Sequence, residues 1–354
     1  MADEIFIKDR RIGGDAPVYV IAEISANHGQ SLDRCLQLVS AALDAGADAV
    51  KLQTYTPDTM TIDSDRPEFR VDSGTIWDGR TLYDLYEEAH TPWDWYPRVQ
   101  ELCDAAGKHL FSTPFDETAV DYLERQNVPA WKIASFELVD LPLIERCAST
   151  GLPMIISTGM ATLSEIDEAV ACARNVGAKE LALLRTNSGY PARPEEMNLR
   201  TIADLRERFG VPVGLSDHTL GIGAAVAAVA LGACIVEKHI CLSRDVPGPD
   251  VQFSLEPDEF AGMVEEVRSA QKALGDVVYG PTARELSSLK FRRSLFAVTD
   301  IAEHETFTRE NVRNIRPAGG LPPKSLNLVL GRRANRAIER GTPLTWDHVQ
   351  GPAS

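Results

Sequence analysis

Apolar runs of six to eight residues recur along the chain: 18–25 (VYVIAEIS), 49–55 (AVKLQTY), 109–115 (HLFSTPF), 130–135 (AWKIAS), 154–159 (MIISTG), 181–187 (LALLRTN), 213–218 (VGLSDH) and 234–240 (CIVEKHI). Each is short enough for a strand, and the segments between them carry a helical period. Ser31 precedes a run with Leu32, Cys35, Leu36, Val39 and Leu43 on one face and Gly46 behind it; Thr162 and Glu165 form a capping-box pattern ahead of Ile166, Ala169, Val170 and Ala173. Near-continuous apolar strands alternating with helices predict a parallel sheet covered on both faces. A count of eight favours a closed (β/α)8 TIM barrel, in the α/β class, over an open doubly wound sheet.

Two stretches break the rhythm. Residues 57–92 are too long for a plain connection and rich in aromatics, which suits either a specificity loop or a packing insertion. From about residue 290 the alternation stops and short strand-like pieces take over. Ile301, Phe307, Thr308, Glu310 and Val312 recur 37 residues later as Ile338, Leu344, Thr345, Asp347 and Val349, implying two similar halves of a small β-rich domain. RPAGGLPP (316–323) is expected to be an exposed loop between them. The expected organisation is a barrel domain over 1–284 and a second domain over 285–354.

Charge sharpens that division. The net charge is −16, but residues 285–354 hold 11 Lys/Arg against 7 Asp/Glu, a net of +4 that leaves −20 on the rest. An acidic body argues against nucleic acid as a partner, and a basic tail suggests docking or delivery of positive charge to an anion. No apolar stretch approaches the roughly 20 residues of a membrane span, and Arg10-Arg11 sits where a signal peptide would need an apolar core. A cytoplasmic protein with no membrane partner is expected. Six scattered cysteines without a CxxC argue against a disulfide framework or a zinc knuckle.

In a (β/α)8 barrel the chemistry lies at the C-terminal ends of the strands. Polar residues collect there: Glu23 and Ser25; Lys51, Gln53 and Thr54; Ser112 and Thr113; Lys132, Ser135 and Glu137; Ser157 and Thr158; Asn187, Ser188 and Tyr190; Ser216, Asp217 and His218; and Glu237, Lys238 and His239. Period-2 alternation lets only part of each group face the mouth. Lys51 and Lys132 with several hydroxyls make a pocket for phosphate and carboxylate, with a structural ion pair or a Schiff-base lysine as the rival roles. His218 and His239 end neighbouring strands, within reach of one divalent ion with open positions, and Glu137 and Asp250 are candidate oxygen partners. Without thiolates, Mn2+ or Mg2+ suits such a set better than structural zinc, with Co2+ a further candidate.

Longer motifs now add a resemblance. IAEISANHGQSLDRCLQLVSAALDAGADAVKLQTYTPDTMT, FSTPFD, WKIASFE, IISTGMAT, GLSDHT, EKHICLSRDVPGPDVQFSLEP, RRSLFAVTDI and IRPAGGLPP follow one another in the order found in the sialic acid (nonulosonic acid) synthase family, which the chain resembles over nearly its whole length. The aromatic insertion GTIWDGRTLYDLYEEAHTPWDW is most similar to the pseudaminic acid branch, whereas VPGPDV (246–251) looks more like the neuraminic and legionaminic branches. The resemblance implies a TIM barrel followed by an antifreeze-like (SAF) domain, and a domain-swapped homodimer. It implies condensation of phosphoenolpyruvate with an acetamido hexose to a nine-carbon 2-keto-3-deoxy sugar acid and phosphate.

By position, the resemblance implies phosphoenolpyruvate contacts at Lys51, Thr113, Lys132, Ser135, Ser157, Ser188 and Ser216, and metal ligands at His218 and His239. It places sugar contacts at Gln53, Tyr190, Asp250 and Arg316, and the carboxylate that handles the attacking water at Glu137, with Glu23 beside it. One departure touches this set: the family pattern Cys-Thr-Asn/Ser-x-Tyr-Pro reads TNSGYP here, with Thr186, Asn187 and Gly189 around Ser188. A non-enzymatic alternative is a binding or dimerisation module of antifreeze type; ice binding wants a flat, weakly charged surface, and the arginines of the tail argue against that use.

Overall fold

The computed structural model describes residues 4–72, 74 and 77–351; Ser73, Thr75 and Ile76 of the aromatic insertion lie outside the described residues. The chain divides into two compact units, Met1–Gly275 and Asp276–Ser354.

The first unit begins with an antiparallel hairpin, β1 (Glu4–Ile7) and β2 (Arg10–Gly13). Eight parallel strands then close a barrel: β3 (Tyr19–Glu23), β4 (Ala49–Thr54), β5 (His109–Pro114), β6 (Trp131–Ile133), β7 (Met154–Ser157), β8 (Leu181–Thr186), β9 (Val213–Asp217) and β10 (Ile235–His239), with β10 pairing β3 to complete the ring. Helices α1 (Leu32–Asp44) to α10 (Pro257–Leu274) connect and cover the strands. Two helix starts behave as their sequences predict. The Ser31 side chain accepts from the Arg34 N–H at the start of α1, and Thr162 and Glu165 form a reciprocal capping box on α7 (Leu163–Asn175).

Alternation along the strands sorts two cores. One lies between the outer face of the strands and the helices, where Val20, Val50 and Leu52 belong to the same cluster as Leu38 and Val39 of α1. The other fills the barrel: Tyr19, Ile21, Ala49, Phe111, Leu184 and Ile235, joined by Ile5, Ile7 and Ile12 of the hairpin. The hairpin was not foreseen, because four-residue strands do not stand out beside eight longer runs. It packs against the N-terminal end of the barrel, where Tyr19 and His109 hydrogen-bond each other (2.7 Å), and the charged side chains of the inner face collect at the C-terminal end.

The second unit is built around β11 (Ser294–Ala297) and β12 (Val312–Ile315), paired antiparallel, and a core of Leu295, Ile301, Phe307, Val312, Ile338, Leu344 and Val349. The 37-residue repeat is visible in its hydrogen bonds. Ala297 N–H donates to Thr342 O and Ala334 N–H to Glu305 O; Thr308 N–H is capped by Asn311 and Thr345 N–H by His348. Ile301 and Ile338 exchange both backbone hydrogen bonds, which puts the pseudo-twofold axis between them.

Candidate active site

Inner-face positions continue upward from the apolar barrel core into charge. Glu23, Lys51, Lys132 and Glu237 are each at most 4% exposed and form one cluster. Lys51 Nζ pairs with Glu23 and lies 3.7 Å from Glu237 Oε1; Lys132 Nζ lies 3.9 Å from the same oxygen. Lys51 also donates to Thr113 Oγ1 (3.2 Å), Lys132 to Ser157 Oγ (2.7 Å), and Ser216 Oγ to Glu237 Oε1 (3.0 Å). Burial opposes the charge on Lys51, but Glu23 and Glu237 together outweigh it and hold the ammonium above its usual value. Burial would raise Glu237 too; Lys132 and Lys51 outweigh it and keep the carboxylate ionised. Lys132 has less support: burial lowers it to about 8, with Glu237 opposing and Lys51 adding to the fall.

Beside this cluster is a cradle of hydroxyls. Gly159 N–H donates to Ser135 Oγ at 3.1 Å, and a Cβ on Gly159 would stand 2.5 Å from Ser188 Oγ and 2.7 Å from Ser135 Oγ. The absence of that carbon leaves the space between the two serines open. Ser188 Oγ is buried without a hydrogen-bond partner, and so is Glu137 Oε2. Such orphans are costly unless something binds there. Burial raises the Glu137 carboxyl to about 7, which suits a group that must take up and give back a proton at neutral pH.

The histidines occupy the rim. Their ring centroids are 5.3 Å apart, and His218 Nδ1 donates to Asn187 O (2.8 Å), leaving Nε2 as the unprotonated nitrogen. His239 Nδ1 is buried with no partner. Burial pushes both imidazoles below their ordinary value, so both are neutral, as ligands must be. The pair therefore fits a divalent ion. Among the described residues no group of three or more His, Cys, Asp or Glu is arranged to hold one, so Glu137 and Asp250 do not join the two histidines in such a set. The Asp250 carboxylate instead receives the Ser25 hydroxyl, and Gln53 Nε2 reaches Ser25 Oγ (3.2 Å) and Glu23 Oε1 (3.3 Å). Tyr190 packs on His218 at 4.6 Å and on Phe253 at 5.3 Å.

Residues 38–279 match the NeuB family and residues 292–350 match the SAF domain. The chain belongs to the NeuB family. It is 43% identical to the pseudaminic acid synthase of Campylobacter jejuni over 93% of this chain and 96% of that protein, and 40% identical to the pseudaminic acid synthase of Helicobacter pylori over 94% and 98%. Among solved structures it resembles the N-acetylneuraminic acid synthetase of Leptospira borgpetersenii in complex with citrate, with a TM-score of 0.72, 32% identity, and coverage of 81% of this chain and 95% of that one.

Within this NeuB-family barrel, five polar residues of the strand ends face away from the mouth. Thr54 and Ser112 hydrogen-bond each other, Thr158 Oγ1 donates to Leu184 O, and Lys238 pairs with Asp217 at 2.7 Å on the outer face. Arg316 is exposed on the second unit, just after β12. Two residues of the site are not among those named from the sequence, Phe253, which packs 4.9 Å from His239, and Trp77, whose ring packs 5.4 Å from that of Tyr190; Glu237, which links the two lysines, stands among the strand-end polar residues there but without a role. Glu237 was within reach, because it lies two residues before His239 and so shares its face.

Proposed function

We propose that this chain is a phosphoenolpyruvate-condensing synthase that joins phosphoenolpyruvate to the open-chain aldehyde of an acetamido hexose of the 6-deoxy-2,4-diacetamido type, as a pseudaminic acid synthase does. The observation that carries the reading is the neutral histidine pair at the rim of a cradle holding two buried lysines. Lys51 is paired with Glu23, and both lysines lie within 4 Å of Glu237, so a guest with phosphate and carboxylate needs further cations. A divalent ion at His218 and His239, Mn2+ or Mg2+, would supply one and polarise the aldehyde oxygen as a Lewis acid.

The chain's own groups do the rest. Lys51, Lys132, Thr113, Ser157 and Ser216 hold the anion, and Ser135 and Ser188 flank the opening at Gly159. That positioning sets C3 of phosphoenolpyruvate against the aldehyde carbon. Glu137 takes a proton from the water that adds at C2, and phosphate leaves with cleavage of its C–O bond. Gln53, Tyr190 and Asp250 face the sugar. The reading includes the domain-swapped homodimer that the resemblance implies, with Arg316 as a further sugar contact, and a cytoplasmic setting.

The test is phosphate release from phosphoenolpyruvate with a panel of acetamido hexoses, with and without chelator, and mass spectrometry of the product. A nine-carbon keto acid from the 6-deoxy-2,4-diacetamido sugar, lost on chelation and restored by Mn2+, is expected. Turnover that ignores chelation removes the metal from the scheme, and a borohydride-trapped lysine adduct would replace it with an aldolase. The segment Val246–Val251 favours a second reading, a neuraminate or legionaminate hexose, which the same panel separates.

A further inference from the structure

The connection after β4 brings one aromatic side chain across the barrel. In the ring of eight strands β4 and β8 stand opposite each other. Yet Trp77, carried by the β4 connection, packs its ring 5.4 Å from that of Tyr190, which follows β8. Its indole Nε1 donates at 3.0 Å to Pro249 O, in the connection that follows β10. The side chain thus passes over the mouth and is tied down next to Asp250. From Trp77 the rings run without a break through Tyr190 to His218 and Phe253. One end of this wall is the histidine pair; the other is the indole.

We propose that Trp77 is a specificity-determining residue, the roof of the sugar pocket at the end remote from the aldehyde, and that it selects hexoses presenting C–H groups or a methyl there over those presenting a hydroxyl. This rests on the function proposed above. A sugar whose C1 meets the histidines must extend along the aromatic wall. Rings of this kind offer large apolar faces, and the indole N–H is already engaged with Pro249. A hydroxyl buried against the indole face would lose water and gain no partner from it, while a methyl would gain contact. Apolar walls reject an added hydroxyl by about a hundredfold at most, so the discrimination is real but limited.

Steady-state kinetics of the full chain with a 6-deoxy acetamido hexose and its 6-hydroxy counterpart test this, for wild type, Trp77→Ala and Trp77→Phe. For Trp77→Ala the hexose KM should rise about tenfold, the phosphoenolpyruvate KM should stay within twofold, and the preference for the 6-deoxy sugar should fall toward unity. Trp77→Phe should restore part of that preference. An unchanged preference with wild-type turnover overturns the roof alone. Equal rises in both KM values also overturn it, since they show a strap that merely holds the barrel mouth together. Wild-type protein that makes no product from either sugar overturns the proposed function and this inference together.

Discussion

Glu237 and Lys238 are neighbours on β10, and they belong to two different kinds of buried charge. Lys238 faces the helices and is completely buried. It donates to Asp217 Oδ2 and to Thr219 O, while Asp217 Oδ1 accepts the Thr219 N–H. In that arrangement each charge has its partner, and it fixes the backbone on both sides of His218 and immediately before His239. Glu237 faces the barrel, between two lysines, and its second oxygen has no hydrogen-bond partner. Leaving groups unsatisfied in the interior is destabilising unless a ligand completes them. The outer pair therefore holds structure and the inner cluster awaits a substrate.

The largest expected effect is beside the inner cluster, at the turn that follows β6. Glu137→Gln should lower kcat by about 10²–10⁴, the range for a positioned acid–base group, and leave phosphoenolpyruvate affinity within a fewfold. Calorimetric titration beside turnover assays checks it, and a variant that keeps its rate removes Glu137 from the chemistry. On the outer face, Lys238→Met should cost about 3–5 kcal/mol of stability because it strands Asp217 in an apolar layer. The double variant Asp217→Leu/Lys238→Met should recover much of the melting temperature. If Lys238→Met melts like wild type, the division between closed and open charge clusters fails. Smaller is the effect of Gly159→Ala. Its Cβ would press on Ser135 and Ser188, so the phosphoenolpyruvate KM should rise roughly tenfold, about 1.4 kcal/mol, with little change in the hexose KM.

The same contrast explains what was legible in the sequence. The eight strands, the starts of α1 and α7 and the repeat of the second unit are local patterns, and each left its mark on the chain. The rim residues followed from those strands, because the C-terminal ends of a barrel are its open end. Alternation also assigned faces, and carried through it would have put Glu237 inside once His239 was placed there. Other features depend on contacts between distant segments. Trp77 is 113 positions from Tyr190 and meets it only because the insertion bends over the barrel. Whether a buried lysine is satisfied is likewise a three-dimensional fact: Lys132 and Lys238 look alike as letters, and only the partners around them tell them apart.

The smallest effect expected is one of pH. In the free protein Glu137 is raised to about 7 and Lys132 lowered to about 8, both chiefly by burial. A base works when deprotonated, so Glu137 gives an acid limb: kcat/KM rises as pH passes upward through about 7. An anion-holding lysine works when protonated, so Lys132 gives an alkaline limb, with kcat/KM falling above about 8. Because these groups lie among other charges, the limbs are apparent values of the cluster. Bound phosphoenolpyruvate adds negative charge beside Lys132 and favours its ammonium form, so the alkaline limb should move upward in kcat relative to kcat/KM. The outer-face Lys238, held by Asp217 away from the substrate, should contribute no such displacement. An alkaline limb at the same pH in both profiles would mean that the substrate anion does not meet Lys132.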